Sequence, residues 1–336
     1  MKFKHIIFFS LLISVLLSCN SNPLDINTKD VNISLNFVNL DSIFVNFSEN
    51  ELKKEIKKSP ILDDEILAYE LGYCLEVGPL EDSGTVQRIK LFVQDPYISR
   101  VEQTIQKKFG NLSFVKKTIK EGMEHLNYHF PKGKFPQNIV FMNSRFNSSI
   151  FCTEREIGVS LERYLGAKER VIEELPSQDF HQWIKDKMDA RYLERDVLTG
   201  WISTHYVDID NQNLAAAMIS WGKIIYLTEA AFPKTEKSII IRYTTDELKW
   251  AEDNEFAFWN YLVKEKLLFS NNEREYSNYL NFAPFTIGLP QKGPDRLGQY
   301  LGWKIIQSYM KAHPKTSLQE LVKLNYNEII QEYEIK

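Results

Sequence analysis

The N-terminal half of the chain contains short stretches in which apolar and polar residues alternate, the pattern of half-buried β-strands. Residues 31–44 alternate in this way, and residues 138–142 form a compact apolar run that also predicts a strand. A hairpin is predicted over residues 149–161, with its turn at residues 154–156. These segments together predict a small N-terminal region of sheet and hairpin.

Helical spacing dominates the rest of the chain. Over residues 97–129 apolar residues recur every three or four positions, and Gly110-Asn111 divides the run into two helices. The other predicted helices cover residues 51–58, 180–205 and 213–231, one opened by a Thr244–Glu247 capping box, one from Pro294 to about Met310, and one opened by a Ser317–Glu320 capping box. The fold class is therefore α+β with a predominantly helical C-terminal half, and no linker-like segment divides it.

The N-terminal segment carries the features of a bacterial lipoprotein signal. Lys2 and Lys4 precede an apolar run over residues 6–17, and Ser18 is followed directly by Cys19. A basic start, a short apolar run and a small residue before the cleavage point are typical of secretory signals. A cysteine at that point indicates a lipobox, with a lipid on the new N-terminal Cys19. An ordinary signal with an incidental cysteine is the alternative.

This interpretation divides the chain into three parts. Residues 1–18 are a signal peptide, residues 19–30 are a flexible polar tether with the lipidated Cys19, and residues 31–336 are a single domain. The apolar run is shorter than the roughly 20 residues that a transmembrane helix needs. We therefore expect an acyl chain such as palmitate to hold the protein at a membrane of the cell envelope.

Composition and charge exclude several classes of protein. Hydrophobic residues make up 43% and aromatic residues 13% of the chain, which predicts a packed core rather than disorder. The net charge is −4 with both signs interspersed, so no basic stripe predicts nucleic-acid binding. Besides Cys19 the chain has Cys74 and Cys152, which could pair in an oxidising compartment. Two buried free thiols are the favoured interpretation.

His125 and His129 are the first candidate for metal chemistry. Two histidines four residues apart lie on one helix face, which is the ligand spacing of zinc peptidase helices. Those enzymes also need a glutamate after the first histidine as the general base, and here that residue is Leu126. We therefore expect two partly exposed histidines rather than metal ligands. His205 is similarly expected to be a histidine at the C-terminal end of a helix.

Two glycine-bearing helical segments are unusual. Gly222 lies inside one apolar helix, and Gly298 and Gly302 lie four residues apart on one face of another. A glycine inside a helix costs about 1 kcal/mol relative to alanine, and close approach of another backbone would offset that cost. We predict that the two glycine faces pack on each other, with Lys223 and Glu229 in a polar network near the contact.

The same two segments carry a resemblance. The runs Gly-Lys-Ile-Ile-Tyr-Leu at residues 222–227 and Pro-Asp-Arg-Leu-Gly-Gln-Tyr-Leu-Gly-Trp at residues 294–303, which includes Asp295 and Arg296, resemble those of the GldB gliding motility lipoproteins of Bacteroidetes. Tyr164-Leu165-Gly166 and the lipobox agree with that family. The resemblance extends over essentially the whole mature chain. Residues 41–43 also resemble a short O-glycosylation acceptor of Bacteroidetes envelope proteins, with Ser42 as the modified residue.

The resemblance implies an envelope lipoprotein of the gliding machinery, functionally linked to type IX secretion. We expect a non-catalytic component that contacts the membrane through its lipid and other envelope proteins of gliding or secretion through its surface, without a cofactor. The residues Gly222, Lys223, Glu229, Asp295, Arg296, Gly298 and Gly302 would be its structural or interaction fingerprint.

GldB-like proteins are in turn distantly similar to predicted zinc peptidases, so a degenerate zinc-peptidase-like scaffold is one form this fold could take. The first zinc motif of those peptidases would fall near residues 194–205, where residues 196–200 supply no histidine pair. Their later glutamate would fall near Trp221. No catalytic residue is therefore carried over. A zinc hydrolase that uses His125 and His129 is one alternative, and a ligand-binding lipoprotein with an aromatic-lined cleft is another.

Overall fold

A mixed β-sheet lies within the residues that the computed structural model describes, which are 22–58, 64–290 and 293–333. Its strands are β1 (Asn36–Asn39), β2 (Asn138–Met142), β3 (Ile150–Cys152) and β4 (Glu156–Ser160). In the order β1-β2-β4-β3, strand β2 is parallel to both of its neighbours, and β3 is antiparallel to β4 at the edge. The predicted strand at residues 138–142 and the hairpin over residues 149–161 are confirmed.

The strand predicted over residues 31–44 is too long. It covers only Asn36–Asn39, because the next residues form helix α1 (Leu40–Asn46). The side chain of Asn39 accepts a hydrogen bond from the backbone N–H of Ser42 at 2.8 Å. Such an N-cap satisfies one of the free N–H groups at a helix start, and here it ends the strand although the alternation continues.

Strand β2 is buried on both faces and contributes to two hydrophobic cores. Val140 and Met142 pack against the helices of the N-terminal region, and Ile139 and Phe141 point into the larger core on the other side. The helical segments on the first face are α1, α2 (Glu49–Lys58), α3 (Asp64–Ala68), a π-helical segment (Tyr69–Cys74) and α4 (Thr85–Gln94). The sheet is therefore the middle layer between two helical layers.

The second face of the sheet is covered first by α5 (Pro96–Phe109) and α6 (Ser113–His129). These two helices confirm the prediction over residues 97–129 and its interruption. The break occurs where Gly110 and Leu112 adopt positive φ angles of 54° and 59°. A glycine adopts this region without the penalty that a side chain adds, so Gly110 is the sequence signal of the break.

The C-terminal half is helical, as predicted. Its α-helices in the described residues are α7 (Arg170–Glu173), α8 (Gln182–Asp186), α9 (Leu193–His205), α10 (Leu214–Ala231), α11 (Lys237–Ile241), α12 (Thr245–Asp253), α13 (Glu255–Lys264), α14 (Glu273–Tyr276), α15 (Leu297–Ala312), α16 (Leu318–Leu321) and α17 (Tyr326–Ile330). Helix α10 is central, since all of its residues except Trp221 and Glu229 are buried.

The side-chain signals at helix starts are largely confirmed. The predicted capping boxes at Thr244–Glu247 and Ser317–Glu320 are both formed, with each side chain bonded to the backbone of the other residue. Asn213 caps α10. The helix predicted from Pro294 begins later, at Leu297, because Arg296 before it has a φ of 51°.

The single helix predicted over residues 180–205 is wrong. The chain forms α8, then a short 3₁₀ turn (Ala190–Tyr192), and only then α9. Asp189 is extended and forms an isolated bridge with Leu165, and its side chain accepts a hydrogen bond from the backbone of Arg191 at 3.0 Å. These local bonds replace the helical ones and interrupt the run.

Helices α10 and α15 touch through their backbones, as predicted from their glycines. A Cβ atom added to Gly222 would overlap the carbonyl oxygen of Gly302, and one added to Gly302 would overlap the carbonyl oxygen of Met218. Gly298 packs slightly differently, since a Cβ there would lie 2.9 Å from Leu280 Cδ2 and 3.4 Å from Met218 Cγ. The contact therefore requires glycine at both Gly222 and Gly302.

The chain is already packed soon after the predicted lipidation site. Asn22 donates a side-chain hydrogen bond to the carbonyl of Pro233 at 2.8 Å, Leu24 is buried, and Asp25 forms an ion pair with Lys234 at 3.2 Å. Residues 22–25, which lie in the segment predicted as a flexible tether, are therefore packed against the domain, and the boundary between tether and domain stays a prediction. Cys19 itself lies outside the described residues.

Candidate binding cleft

A cleft of about 420 Å³ opens where α9, α10, the start of α15 and the edge strand β3 meet. Three arginines are its main polar groups, and we call it the arginine cleft. The residues that line it are Ser149, Ile150, Arg195, Asp196, Thr199, Gly200, Ser203, Trp221, Arg242, Leu280, Asn281, Phe282, Arg296 and Gln299. Polar and apolar groups from separate parts of the chain converge here, as they do in ligand-binding sites.

Helix α9 provides one wall through its periodicity. Arg195, Thr199 and Ser203 are four residues apart and therefore lie on one helix face. Gly200, beside them, allows the edge strand to approach, because a Cβ there would lie 2.7 Å from Ile150 Cγ2. The opposite face of α9 is buried in the larger core.

Asp196 organises the arginines on this wall. Its Oδ1 accepts a hydrogen bond from Arg195 Nη1 at 2.9 Å, and its Oδ2 accepts one from the Tyr164 hydroxyl at 3.1 Å. Arg242 Nε lies 3.1 Å from the same Oδ2. Arg195 Nε is bound to the carbonyl of Ile240 at 2.8 Å. Both carboxylate oxygens are therefore engaged, and the position of Arg195 is defined by buried partners.

Arg296 forms a second fixed ion pair. Its Nε and Nη2 donate to the two carboxylate oxygens of Asp295 at 2.9 and 3.0 Å, a bidentate arrangement that is both strong and directional. Its guanidinium also lies over the ring of Tyr243, 5.4 Å from the centroid. Burial acts to lower the pKa of Arg296, but the Asp295 carboxylate outweighs it, and the pKa is raised overall.

Arg242 is the least satisfied of the three arginines. Its Nη2 donates to the carbonyl of Lys187 at 3.1 Å, but its buried Nε, although near Asp196, makes no hydrogen bond among the described residues. Its φ angle is 62°, a left-handed conformation that costs about 1–3 kcal/mol for a residue with a side chain. The rings of Tyr192 and Phe282 lie 5.1 and 5.8 Å from its guanidinium.

Comparison with known families identifies the chain. The sequence profile of the gliding motility protein GldB matches residues 21–336. The chain belongs to the GldB family. No curated protein and no solved structure gave a match. GldB membership makes the protein a gliding motility lipoprotein of the cell envelope, as the resemblance implied. Among the described residues, no helix is long and apolar enough to cross a bilayer.

The four charged residues of the predicted fingerprint separate into three places in the structure. Asp295 and Arg296 lie at the arginine cleft, whereas Lys223 donates from its Nζ to the carbonyl of Leu324 at 2.6 Å, near the C-terminus. Glu229 Oε2 instead accepts hydrogen bonds from Trp303 Nε1 at 2.8 Å and from Gln307 at 2.9 Å. Lys223 and Glu229 therefore do not share one polar network, because each binds a different neighbour of α10. Burial lowers the pKa of Lys223 to about 8.

Two of the three histidine candidates have backbone partners, whereas His129 Nε2 is buried without a hydrogen-bond partner among the described residues. His125 Nδ1 lies 2.9 Å from the carbonyl of Glu121, and burial lowers the pKa of His129 to about 4. The ring of His205 packs against that of Trp201 at a tilt of 42°, and its Nε2 lies 2.9 Å from the carbonyl of Thr153. In the described part of the chain, no group of three or more His, Cys, Asp or Glu side chains is placed to hold a metal ion. The zinc-peptidase-like scaffold gains no support from these comparisons.

The cysteine and serine predictions have different outcomes. Cys74 and Cys152 are both free thiols, so the alternative of a bridge between them is not realised. Cys74 is buried as expected, whereas Cys152 is partly exposed. The Ser42 hydroxyl accepts a hydrogen bond from Asn46 at 2.9 Å at the surface of α1. Its glycosylation stays a prediction.

A buried group of acidic side chains lies just beyond the C-terminal end of β2, where Asn143 donates to Asp41 and Glu102 and Ser144 donates to Glu162. Burial raises the pKa of Asp41, Glu70 and Glu102, and it raises that of Glu162 to about 7. Their mutual repulsion acts in the same direction. Glu162 is stabilised by hydrogen bonds from Ser144, whereas in the described part of the chain neither carboxylate oxygen of Glu70 accepts a hydrogen bond from an N–H or O–H group, and only the Cys74 thiol acts to lower its pKa. These groups therefore retain their protons to higher pH in the folded protein than in the unfolded chain.

The sequence interpretation missed Arg195, Asp196 and Arg242. Two of them form an adjacent charged pair inside an otherwise buried helix, where Val197, Leu198, Trp201 and Ile202 surround them. Charged side chains are rarely buried unless they are paired, so Arg195-Asp196 was the available signal. Arg242 had no comparable signal, because it follows the apolar run of α11 in a turn.

Proposed function

We propose that this GldB-family lipoprotein acts without catalysis, by holding a partner protein of the gliding machinery in the arginine cleft. Its lipid on Cys19 would keep it at the membrane, and its work would be linked to type IX secretion. In this proposal residues 1–18 are removed, and the remaining domain acts as one body at the end of a very short tether.

The observation that carries this proposal is that both carboxylate oxygens of Asp196 already accept hydrogen bonds within the protein. A general base needs a carboxylate that can accept a proton from a substrate, and both oxygens of Asp196 already accept hydrogen bonds, from Arg195 and Tyr164. The other polar groups of the cleft are guanidinium groups, which only donate, and hydroxyls and amides, which can donate or accept. Donors held by buried partners are suited to binding rather than to proton transfer.

Crosslinking in intact cells tests the partner. A photo-crosslinking amino acid would replace Phe282, which exposes 38% of its surface at the mouth of the cleft. The matched control replaces Leu91, which is 61% exposed on α4 across the sheet. We expect one defined envelope protein of gliding or secretion to be captured at Phe282 and not at Leu91. Equal capture at both positions would contradict the proposal.

A catalytic role predicts a different result. Purified protein that cleaves peptides in a chelator-sensitive way would overturn the non-catalytic proposal. Loss of gliding without any change in type IX secretion, after deletion of the gene in the native host, would remove the secretion link.

A ligand-binding lipoprotein is the second candidate, and one observation favours it. Trp221 and Phe282 both line the arginine cleft, so aromatic and polar groups converge there. Trp183 packs against Phe282 with ring centroids 4.8 Å apart and extends the aromatic surface. A small soluble molecule that co-purifies with the protein, and is absent from a Phe282→Ala variant, would favour this candidate over a partner protein.

A further inference from the structure

The arginine cleft has one more positive than negative charge. Arg195, Arg242 and Arg296 line it, and Asp196 and Asp295 are the carboxylates bonded to them. Three cations against two anions leave a surplus of one. Concentrating like charges in a partly buried site is unfavourable, so the surplus favours binding of an anion.

The arginine cleft also contains guanidinium N–H groups that do not donate a hydrogen bond within the described residues. Arg242 Nε lies 3.1 Å from Asp196 Oδ2 in an ion pair that lacks the geometry of a hydrogen bond, and among the described residues no hydrogen bond is formed by Arg242 Nη1 or Arg195 Nη2. A buried donor without an acceptor costs about 1–3 kcal/mol. The cleft therefore offers donors whose satisfaction by an incoming acceptor would be favourable.

The structure points to a carboxylate as that acceptor. We propose that the arginine cleft holds one carboxylate group, supplied by an acidic segment of a partner protein. This inference rests on the proposed function, because it names the chemistry by which the same cleft would recognise its partner. Arg242 is the residue that binds the carboxylate, and Arg195 supports it through Asp196.

Charge and geometry favour a carboxylate over a phosphate. One carboxylate carries one negative charge and balances the surplus, whereas a phosphate monoester carries close to two at neutral pH. A guanidinium also pairs with a carboxylate through two parallel N–H bonds, as Arg296 already does with Asp295. Phe282 beside Arg242 provides an apolar surface for the chain that carries the carboxylate.

A peptide probe tests this inference on the full chain, purified in detergent. Fluorescein-labelled hexaglutamate is titrated with the protein by fluorescence anisotropy, and hexaglutamine of the same length is the uncharged control. We expect hexaglutamate to bind and hexaglutamine to bind at least about tenfold more weakly, because a hydrogen bond to a charged group is worth about 1.5–3 kcal/mol. Higher salt should weaken hexaglutamate binding.

Variants locate the binding. Arg242→Gln should weaken hexaglutamate binding by about tenfold or more, and Arg242→Lys, which keeps the charge but loses the planar fork, by less. Arg100→Gln is the matched control, since Arg100 pairs with Glu174 in an exposed ion pair elsewhere. Far-UV circular dichroism and a thermal melt show whether the Arg242 variants fold. If the Arg242 variants do not fold, the comparison of hexaglutamate with hexaglutamine on the unaltered protein still tests the inference.

The outcomes separate the possible occupants. No binding of hexaglutamate, or equal binding by folded Arg242→Gln, would overturn the inference. Inorganic phosphate that displaces the peptide more effectively than succinate would assign the cleft to phosphate and also overturn it. Succinate that binds as tightly as the peptide would refute a partner segment as the source.

The carboxylate inference and the proposed function can be refuted independently of each other. A partner captured at Phe282 in cells together with no hexaglutamate binding would refute only the carboxylate. Hexaglutamate binding without any captured partner would refute the proposed function and leave the anion site in place.

Discussion

Gly302→Ala is the sharpest test of how the helical half is held together. The added methyl group would overlap the carbonyl oxygen of Met218 and lie 2.7 Å from its carbonyl carbon. These are backbone atoms of α10, so no side chain can rotate away to relieve the overlap. The two helices must therefore move apart.

Two opposing contributions determine how much Gly302→Ala changes the free energy of unfolding. Overpacking a well-packed contact costs about 1–3 kcal/mol, and we expect the upper end because the neighbour is backbone. Replacing glycine by alanine inside a helix returns about 1 kcal/mol. The net loss in the free energy of unfolding is then about 2 kcal/mol. Since unfolding entropy is about 2.1 cal/mol/K per residue near 60 °C, this corresponds to a fall of roughly 3 °C in Tm.

Gly72→Ala is the matched control for this substitution. Gly72 is also helical, but no heavy atom outside its own helix lies within 4 Å of an added Cβ. Only the gain in helix propensity remains, so its Tm should stay constant or rise slightly. Thermal melts followed by circular dichroism measure both variants. A Gly302→Ala variant that melts at or above the wild-type temperature would refute the backbone contact.

A double variant adds an independent check. Gly222→Ala places its methyl group against the carbonyl of Gly302, on the same helix pair. Once one methyl group has separated the helices, the second should cost less, so the combined loss should be smaller than the sum of the two single losses. Simple additivity would show that the two glycines act independently.

Three further predictions concern the anchor, the buried acids and Glu229. Cys19→Ser should move the protein from the membrane fraction to the soluble fraction without a change in Tm, as cell fractionation and melting would show; gliding that persists fully would make the anchor dispensable. The free energy of unfolding should fall by about 3 kcal/mol as pH rises from 4.5 to about 7 on account of Glu162, since the folded state retains a proton that the unfolded chain releases. Urea titrations at several pH values measure this fall, which Glu162→Gln should reduce, and a rise over that window would be the contrary result. Glu229→Ala should cost about 1–3 kcal/mol because it leaves the indole N–H of Trp303 without its acceptor; unchanged urea unfolding would contradict it.

Local signals predicted much of the fold. The hairpin and strand β2 follow from apolar patterning, and the capping boxes at Thr244 and Ser317 mark true helix starts. Gly222 and Gly302 even predicted a tertiary contact, because a helix tolerates glycine at a cost that only close packing offsets. These features are readable because the determining residues are neighbours in the sequence.

The remaining features depend on partners far away in the chain. The break before α9 requires Asp189 to pair with Leu165, which is 24 residues earlier in the chain. The arginine cleft combines Arg195, Arg242 and Arg296 from three separate segments. Arg195 and Arg296 are each adjacent in sequence to the carboxylate that pairs with them, but no local pattern shows that Arg242 joins them.

The glycine contact and the arginine cleft lie next to each other on the same pair of helices, α10 and α15. Trp221, which lines the cleft, precedes Gly222, and Gln299 of the cleft lies one turn before Gly302 on α15. The backbone contact therefore sets the separation of the two cleft walls. Gly302→Ala should weaken hexaglutamate binding even at temperatures where the variant is fully folded, whereas Gly72→Ala should not. Unchanged affinity in folded Gly302→Ala would show that the cleft tolerates a shift of α15, and that the fingerprint glycines serve stability alone.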